Sequence, residues 1–315
     1  MAGPIIMLFL FYTVAGQLQK QPHWKDSLHQ MMEAAFGKQQ WKLYCMFGLM
    51  WLNWALETIK WQIALRPVQP IGFFRAFKAI LAGSCIASFT PNRVGEYLGR
   101  MLFVDPGNKM LSVTPTILCS MSQMLVTLIA GAVGLYMFSS LPFHFQAAWL
   151  SPAFFRSVMI VTAGVAIVLG LVYFRFEPMV RRVNSWLKKN KKNFTIPQDF
   201  RLPVLTGILT ISMIRYLVFV LQYFLLFSLF GIPLTGQQVF TGVSVMFVLM
   251  AVVPTLTFLT DLGFRWAAGI QIFQVFTSNT AGILAVSLGI WLINLIIPAL
   301  VGSLLILRIK LFSSK

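Results

Sequence analysis

The sequence predicts an all-α, polytopic integral membrane protein with an inverted-topology repeat and two re-entrant, broken helical hairpins. Of its 315 residues, 58% are hydrophobic and 10% are charged, and the mean hydropathy is +0.78. Apolar stretches of about 20 residues, the length that crosses a bilayer as a helix, recur along the chain. Two apolar segments are each interrupted by a proline and contain charged residues. We therefore expect a single transmembrane domain over residues 1–315.

The basic composition fits a membrane better than a nucleic acid. Lys and Arg number 25 against 8 acidic residues, a formal net charge of +17, and they concentrate in loops on one side of the predicted membrane. The three cysteines and three histidines lack the spacing that is typical of metal sites or disulfide frameworks. We expect membrane lipids as partners, and no nucleic acid, cofactor or metal.

The chain begins with an apolar segment at 1–16. We predict a first helix there, because the segment lacks the basic flank of a cleaved signal. A polar stretch at 17–40 separates it from the span 41–65, in which Glu57 and Lys60 lie three residues apart and share a helix face. The other full spans are predicted at 111–138, 153–174, 202–230 and 281–307.

The two broken segments fit full spans poorly. In the first, residues 73–89 enter the membrane, Pro91 breaks the helix, and the shorter stretch 94–104 returns. The second segment repeats this plan around Pro254. Broken backbone at membrane depth is tolerated where it is buried in protein or lines a wet cavity. The pattern therefore predicts two re-entrant hairpins.

Charge sets the predicted orientation. The basic loop 175–201, which follows the span 153–174, is cytoplasmic by the positive-inside rule and should lie against anionic lipid headgroups. The two halves of the repeat, about 41–138 and 202–307, then have opposite orientations, which predicts a substrate site near the midplane. The 18–42 loop falls outside although it carries several lysines, which counts against this assignment.

The charged residues of the broken segments predict a phosphate site. Arginine side chains can fork onto phosphate oxygens, and a glycine admits a close approach of the backbone. A structural interpretation is equally open, because Glu96–Arg100 and Asp261–Arg265 have the i,i+4 spacing of helix-stabilising pairs. The candidate lipid- or phosphate-binding residues are Arg93, Gly95, Glu96, Arg100, Asp261, Gly263 and Arg265, with Glu57, Lys60 and Arg215 as supporting charges and Pro91 and Pro254 as helix breaks.

Two motifs resemble a known family. T-P-N-R-V-G-E-Y-L-G-R (Thr90–Arg100) and D-L-G-F-R-W-A-A (Asp261–Ala268) are similar to motifs in the flippase-like transmembrane region of lysylphosphatidylglycerol synthases and their stand-alone relatives. In this chain, Thr255–Asp261 stands where the family has a proline–glycine–glycine run. The resemblance implies a lipid translocator, or a membrane component that acts on a phosphate-bearing lipid, without the soluble synthase domain. The motif residues that it implicates are Pro91, Gly95, Glu96, Arg100, Gly263 and Arg265.

We expect a flippase-like protein that binds or translocates an anionic or isoprenoid-linked lipid in the bacterial cytoplasmic membrane, with a cytoplasmic C-terminus. A membrane-embedded transferase or hydrolase that acts on a lipid phosphate is one alternative. No close acid pair, activated nucleophile or metal cluster supports it, so no enzyme is expected. A proton- or ion-coupled transporter is the other alternative. The identity of the lipid, the direction and energy source of transport, and the oligomeric state, a homo-oligomer included, are left open.

Overall fold

A computed structural model describes residues 39–90, 93–141, 152–189, 200–252 and 258–312, together with the isolated positions 29, 32 and 37. Within these ranges the regular secondary structure consists of eleven α-helices, one short 3-10 helix and one π-helical turn. The all-α prediction is confirmed. The predicted first helix at 1–16, Pro91 and Pro254 lie outside the described residues.

The helices fall into three groups along the chain. The first group contains α1 (Gln40–Leu65), α2 (Phe73–Ala87), α3 (Gly95–Met101), the 3-10 helix Pro106–Asn108 and α4 (Val113–Ser139). Two connecting helices come next, α5 (Pro152–Phe174) and α6 (Phe176–Lys189). The last group contains α7 (Leu202–Leu229), α8 (Gly236–Val252), α9 (Phe258–Phe273), α10 (Thr280–Trp291), the π-helical turn Leu292–Ile296 and α11 (Ile297–Phe312).

Among the residues that the structure describes, four helical stretches are long and apolar enough to cross a membrane: Val113–Ser139, Ala153–Phe174, Leu202–Leu229 and Thr280–Ile306. This confirms a polytopic integral membrane protein. The most apolar window of Ala153–Phe174 is 17% buried within the protein, whereas that of Thr280–Ile306 is 72% buried. Thr280–Ile306 therefore runs through the centre of the helix bundle, whereas α5 lies at the edge of the bundle.

The first predicted hairpin consists of α2 and α3, which pack backbone to backbone through glycines. A Cβ atom on Gly99 would lie 2.4 Å from the Cα of Gly83, and one on Gly95 would lie 2.6 Å from the carbonyl of Ile86. Larger residues would therefore force the two helices apart. The backbone N–H of Gly95 donates to Thr90 Oγ1 at 2.7 Å, which satisfies a free donor at the start of α3.

The two halves pack against each other reciprocally. Helices α1 and α7 run antiparallel: Lys42 Nζ, near the start of α1, donates to Ser228 Oγ at 2.7 Å, near the end of α7. Helix α2 contacts α11, and α8 contacts α4. The first helix of each hairpin thus packs on the last span of the other half. An inverted repeat predicts such an exchange; the re-entrant path and the sidedness stay predictions.

The segment predicted as a basic loop at 175–201 contains a helix. Helix α6 begins at Phe176, two residues after α5 ends at Phe174, and continues to Lys189. Phe176 and Val180, four residues apart, are buried against the protein. This i,i+4 apolar spacing gives the segment an amphipathic helical face, a signal that its high charge obscures.

Candidate functional site

A cluster of buried charges lies where α1, α3 and α7 meet. Glu57 is at its centre. Lys60, one turn further along α1, places its Nζ 2.8 Å from Glu57 Oε2, as the i,i+3 spacing predicts. Arg100 of α3 places its Nη2 2.7 Å from Glu57 Oε1. Arg215 of α7 donates through Nη1 to Glu57 Oε2. One carboxylate therefore holds three cations from three helices.

Arg215 is oriented by neutral side chains on two further sides. Its Nε donates to Asn53 Oδ1 at 2.7 Å, and its Nη1 donates to Gln123 Oε1 at 3.1 Å. Asn53 lies one turn before Glu57 on α1, and Gln123 lies in the middle of α4. These contacts fix the plane of the guanidinium and leave it little rotational freedom.

A second carboxylate, Glu96, joins the cluster from α3. It accepts from Arg100 Nη2, one helical turn away, and its Oε2 lies 3.9 Å from Arg93 Nε. Arg93 is exposed and has a φ of +59°, a left-handed conformation that is uncommon outside glycine. We call Glu57, Lys60, Arg93, Glu96, Arg100 and Arg215 the charged cluster.

The charged cluster is not electrically balanced. Among the described residues it contains four cationic side chains and two carboxylates, a formal excess of two positive charges. A charged side chain at the centre of a membrane helix costs roughly 2.5–3.5 kcal/mol on insertion scales. An uncompensated cation in such a place is a natural binding partner for an anion.

A cavity of about 370 Å³ adjoins the cluster, within the range of about 300–1,000 Å³ that is typical of small-molecule sites. Its lining combines polar side chains, here called the polar wall, with apolar and largely aromatic side chains, here called the apolar wall. The polar wall includes Asn53, Glu57, Lys60, Arg93, Glu96, Gln123 and Arg215. The apolar wall includes Trp54, Tyr216, Phe219, Phe247 and Met250.

Arg100 lies behind the cavity wall. Its side chain is 1% exposed and is absent from the described lining of the cavity. The guanidinium lies 5.6 Å from the ring centre of Trp61, a cation–π contact. Arg100 thus pairs with Glu57 and Glu96 on the side that faces away from the cavity. The described cations that line the cavity are Lys60, Arg93 and Arg215.

The second motif, Asp261–Ala268, reaches the cavity lining only through another side chain, that of Tyr223. Arg265 of α9 donates from Nη1 to the hydroxyl of Tyr223 at 3.0 Å. The Tyr223 ring lies 6.0 Å from the ring of Phe247, which lines the cavity. A Cβ atom on Gly263 would meet nothing within 4 Å. The side chain of Asp261 lies outside the described residues, so the predicted Asp261–Arg265 pair stays a prediction.

The structure brings the three predicted supporting charges, Glu57, Lys60 and Arg215, into the centre of the site. Sequence reasoning did not single out Asn53 and Gln123 as site residues. The sequence could have indicated Asn53, because it lies four residues before Glu57 and so shares its helix face. Gln123 is a long polar side chain within an apolar span, which by itself indicates an interior position.

Comparison with known proteins identifies the family. Residues 5–302 match the lysylphosphatidylglycerol synthase TM region. The chain belongs to this family. The resemblance found in the two motifs is thereby confirmed and extends over nearly the whole chain. No curated protein matches the chain, and no solved structure does.

Proposed function

We propose that the protein binds the phosphate-bearing headgroup of an anionic or isoprenoid-linked lipid in the cavity and moves the lipid between leaflets. Membership of the lysylphosphatidylglycerol synthase TM family indicates a function related to membrane lipids. The observation that carries the finer proposal is the excess of positive charge in the lining of a cavity among apolar helices, where Lys60, Arg93 and Arg215 stand against Glu57 and Glu96.

The charge and geometry of the polar wall favour a phosphate. Lys60 and Arg215 line the cavity from opposite halves of the chain, and Arg93 lies at its exposed rim. Arginine presents a planar fork that matches phosphate oxygens, and lysine adds a compact point charge. Because Lys60 and Arg215 are shielded from water, a bound phosphate would interact with these two groups more strongly than with cations at a surface.

The apolar wall favours a lipid over a free anion. Phe219, Phe247 and Met250 would contact the apolar part of a ligand whose phosphate faces the cations. A cavity of about 370 Å³ holds a headgroup and leaves the acyl or isoprenoid chains outside. Two described residues that border it, Ser120 and Met124 of α4, are exposed, and the chains of the lipid would lie on that side.

Movement of the lipid follows from the role of Glu57. Glu57 pairs with Lys60 and Arg215, the cations that a phosphate would need. An entering phosphate would replace it at Lys60 and Arg215, and so weaken the link that Glu57 makes between α1 and α7. Because these helices belong to opposite halves, such an exchange would permit the two halves to move relative to each other.

We further propose that the lipid leaves with its covalent structure unchanged. The basic stretch that contains α6 supports a cytoplasmic location for this segment and for the C-terminus, in a bacterial inner membrane. The unchanged covalent structure and the cytoplasmic location are proposed separately from headgroup binding. Mass spectrometry of the lipid tests the first, and cysteine labelling tests the second.

Binding is tested with purified protein in neutral detergent, to which phosphatidylglycerol or a polyprenyl phosphate is added. Native mass spectrometry counts the bound lipids. We expect Arg215→Gln to reduce binding at least tenfold, because it removes a cavity-lining cation. Arg75→Gln is the matched control, since Arg75 forms an ion pair of 2.7 Å with Asp105 on the exposed surface. Equal binding by wild type and Arg215→Gln would refute the proposed site.

A further inference from the structure

Helix α6 has two apolar stripes that serve different purposes. The inner stripe contains Phe176 and Val180, which are buried, and the ring of Phe176 packs edge-to-face on that of Phe200 at 5.2 Å. These contacts fix the rotation of α6 about its own axis. The remaining side chains of the helix therefore have defined directions relative to the bundle.

The outer stripe is exposed. Met179, Val183 and Trp186 follow the i, i+4, i+7 spacing of a helix face, and they are 54%, 38% and 58% exposed. The helix begins two residues after the span α5 ends at Phe174. An apolar stripe that starts at the end of a membrane span is within reach of the lipid interface.

Basic side chains border the outer stripe on one side. Arg182 lies three residues after Met179, and Lys189 lies three residues after Trp186, so both flank the stripe. Both residues are exposed. By contrast, Arg181 points away from the stripe and pairs with Glu177 one turn earlier. Arg182 and Lys189 therefore lie beside the exposed apolar side chains, whereas Arg181 and Lys188 lie on the far side of the helix.

We propose that α6 is an interfacial helix that binds anionic lipid headgroups. The outer stripe inserts at the boundary between headgroups and acyl chains, and Arg182 and Lys189 contact the phosphates of the same leaflet. Its occupant is an anionic lipid surface, because an apolar stripe flanked by cations complements such a surface. This surface is separate from the charged cluster, and the inference does not depend on the proposed function.

The test uses a polarity-sensitive NBD probe on full-length protein in vesicles. Cys45 is exposed and is replaced by Ser, whereas Cys85 and Cys119 are buried. The probe is attached to Val183→Cys in the outer stripe or, as a matched control, to Ser185→Cys, two residues further and on the opposite face. Vesicles contain phosphatidylcholine alone, or phosphatidylcholine with about one third phosphatidylglycerol. Iodide quenching reports the exposure of each probe to water.

We expect the probe at position 183 to be protected several-fold more than that at 185, and more in anionic than in neutral vesicles. Arg182→Gln should shift the ratio of docked to undocked helix by about fivefold, the effect of one basic residue near an anionic surface. Arg181→Gln, its neighbour on the far side, should shift the ratio less.

Three results would overturn the proposal. Equal quenching at positions 183 and 185 would mean that the stripe is not inserted. Equal protection in neutral and anionic vesicles, unchanged by Arg182→Gln, would mean that headgroup charge is not recognised. Protection at 183 that falls when the number of protein molecules per vesicle is reduced would mean that a second copy of the chain covers the stripe.

Discussion

Replacing Glu57 by Gln tests whether one carboxylate organises the charged cluster. The substitution keeps the shape of the side chain but removes the charge that Lys60, Arg100 and Arg215 share. The formal excess of positive charge in the described cluster then rises from two to three. Removing one partner of a buried ion pair costs about 3–5 kcal/mol. We therefore expect a marked loss of stability in the absence of an anion.

The same substitution frees the cations that a phosphate would bind. Added anionic lipid should therefore stabilise Glu57→Gln more than it stabilises the wild type. Thermal unfolding in neutral detergent, with and without phosphatidylglycerol, measures both effects. The expected loss corresponds to a fall in the midpoint temperature of roughly 5–10 °C, and lipid should restore most of it.

The matched control is Glu177→Gln, which removes the partner of Arg181 on the surface of α6. An exposed pair contributes about 0–1 kcal/mol, so this variant should unfold close to the wild type. Our account of the cluster fails if Glu57→Gln unfolds like Glu177→Gln. The proposed exchange of Glu57 for phosphate fails if the variant is unstable but lipid rescues it no more than the wild type.

Three further changes test the packing, the site boundary and the topology. Gly99→Ala should lower stability by about 1–3 kcal/mol in thermal unfolding, because its Cβ would overlap the backbone of α2, whereas Gly263→Ala should be tolerated; similar values for both would contradict the packing. Arg265→Gln should change anionic-lipid binding less than twofold by native mass spectrometry, and a loss as large as that of a cavity-lining cation would move the site boundary. Cysteines at Ser185 and Ser278 should react with an impermeant maleimide from opposite sides of the membrane, and labelling from one side would refute the inverted repeat.

The sequence could predict those parts of the site that lie within one helix. Glu57–Lys60 and Glu96–Arg100 follow i,i+3 and i,i+4 spacing, and both pairs form as ion pairs in the structure. Hydropathy alone predicted the four spans at 111–138, 153–174, 202–230 and 281–307, because a bilayer requires apolar helices of a minimum length. The predicted span 41–65 forms a helix but is not among the described helices that are apolar enough to cross a membrane.

The joining of these pairs could not be predicted from the sequence. Arg100 and Glu57 are separated by 43 positions, and Arg215 and Glu57 by 158. Their meeting depends on how α1, α3 and α7 pack, and that packing depends on close glycine contacts and on the shapes of many apolar side chains. The same limit explains why the burial of Arg100 behind the described cavity lining could not be predicted; its part in ligand binding stays a prediction.

The most direct test of lipid movement uses purified protein in liposomes that contain fluorescent phosphatidylglycerol or a labelled polyprenyl phosphate. A membrane-impermeant quencher measures the exchange of the lipid between leaflets, and mass spectrometry of the same lipid measures any chemical change. We expect wild type and Arg75→Gln to accelerate exchange, Arg215→Gln to abolish it, and the mass of the lipid to stay the same. Exchange no faster than in empty liposomes, or a chemically altered lipid that requires the wild-type protein, would contradict the proposed function.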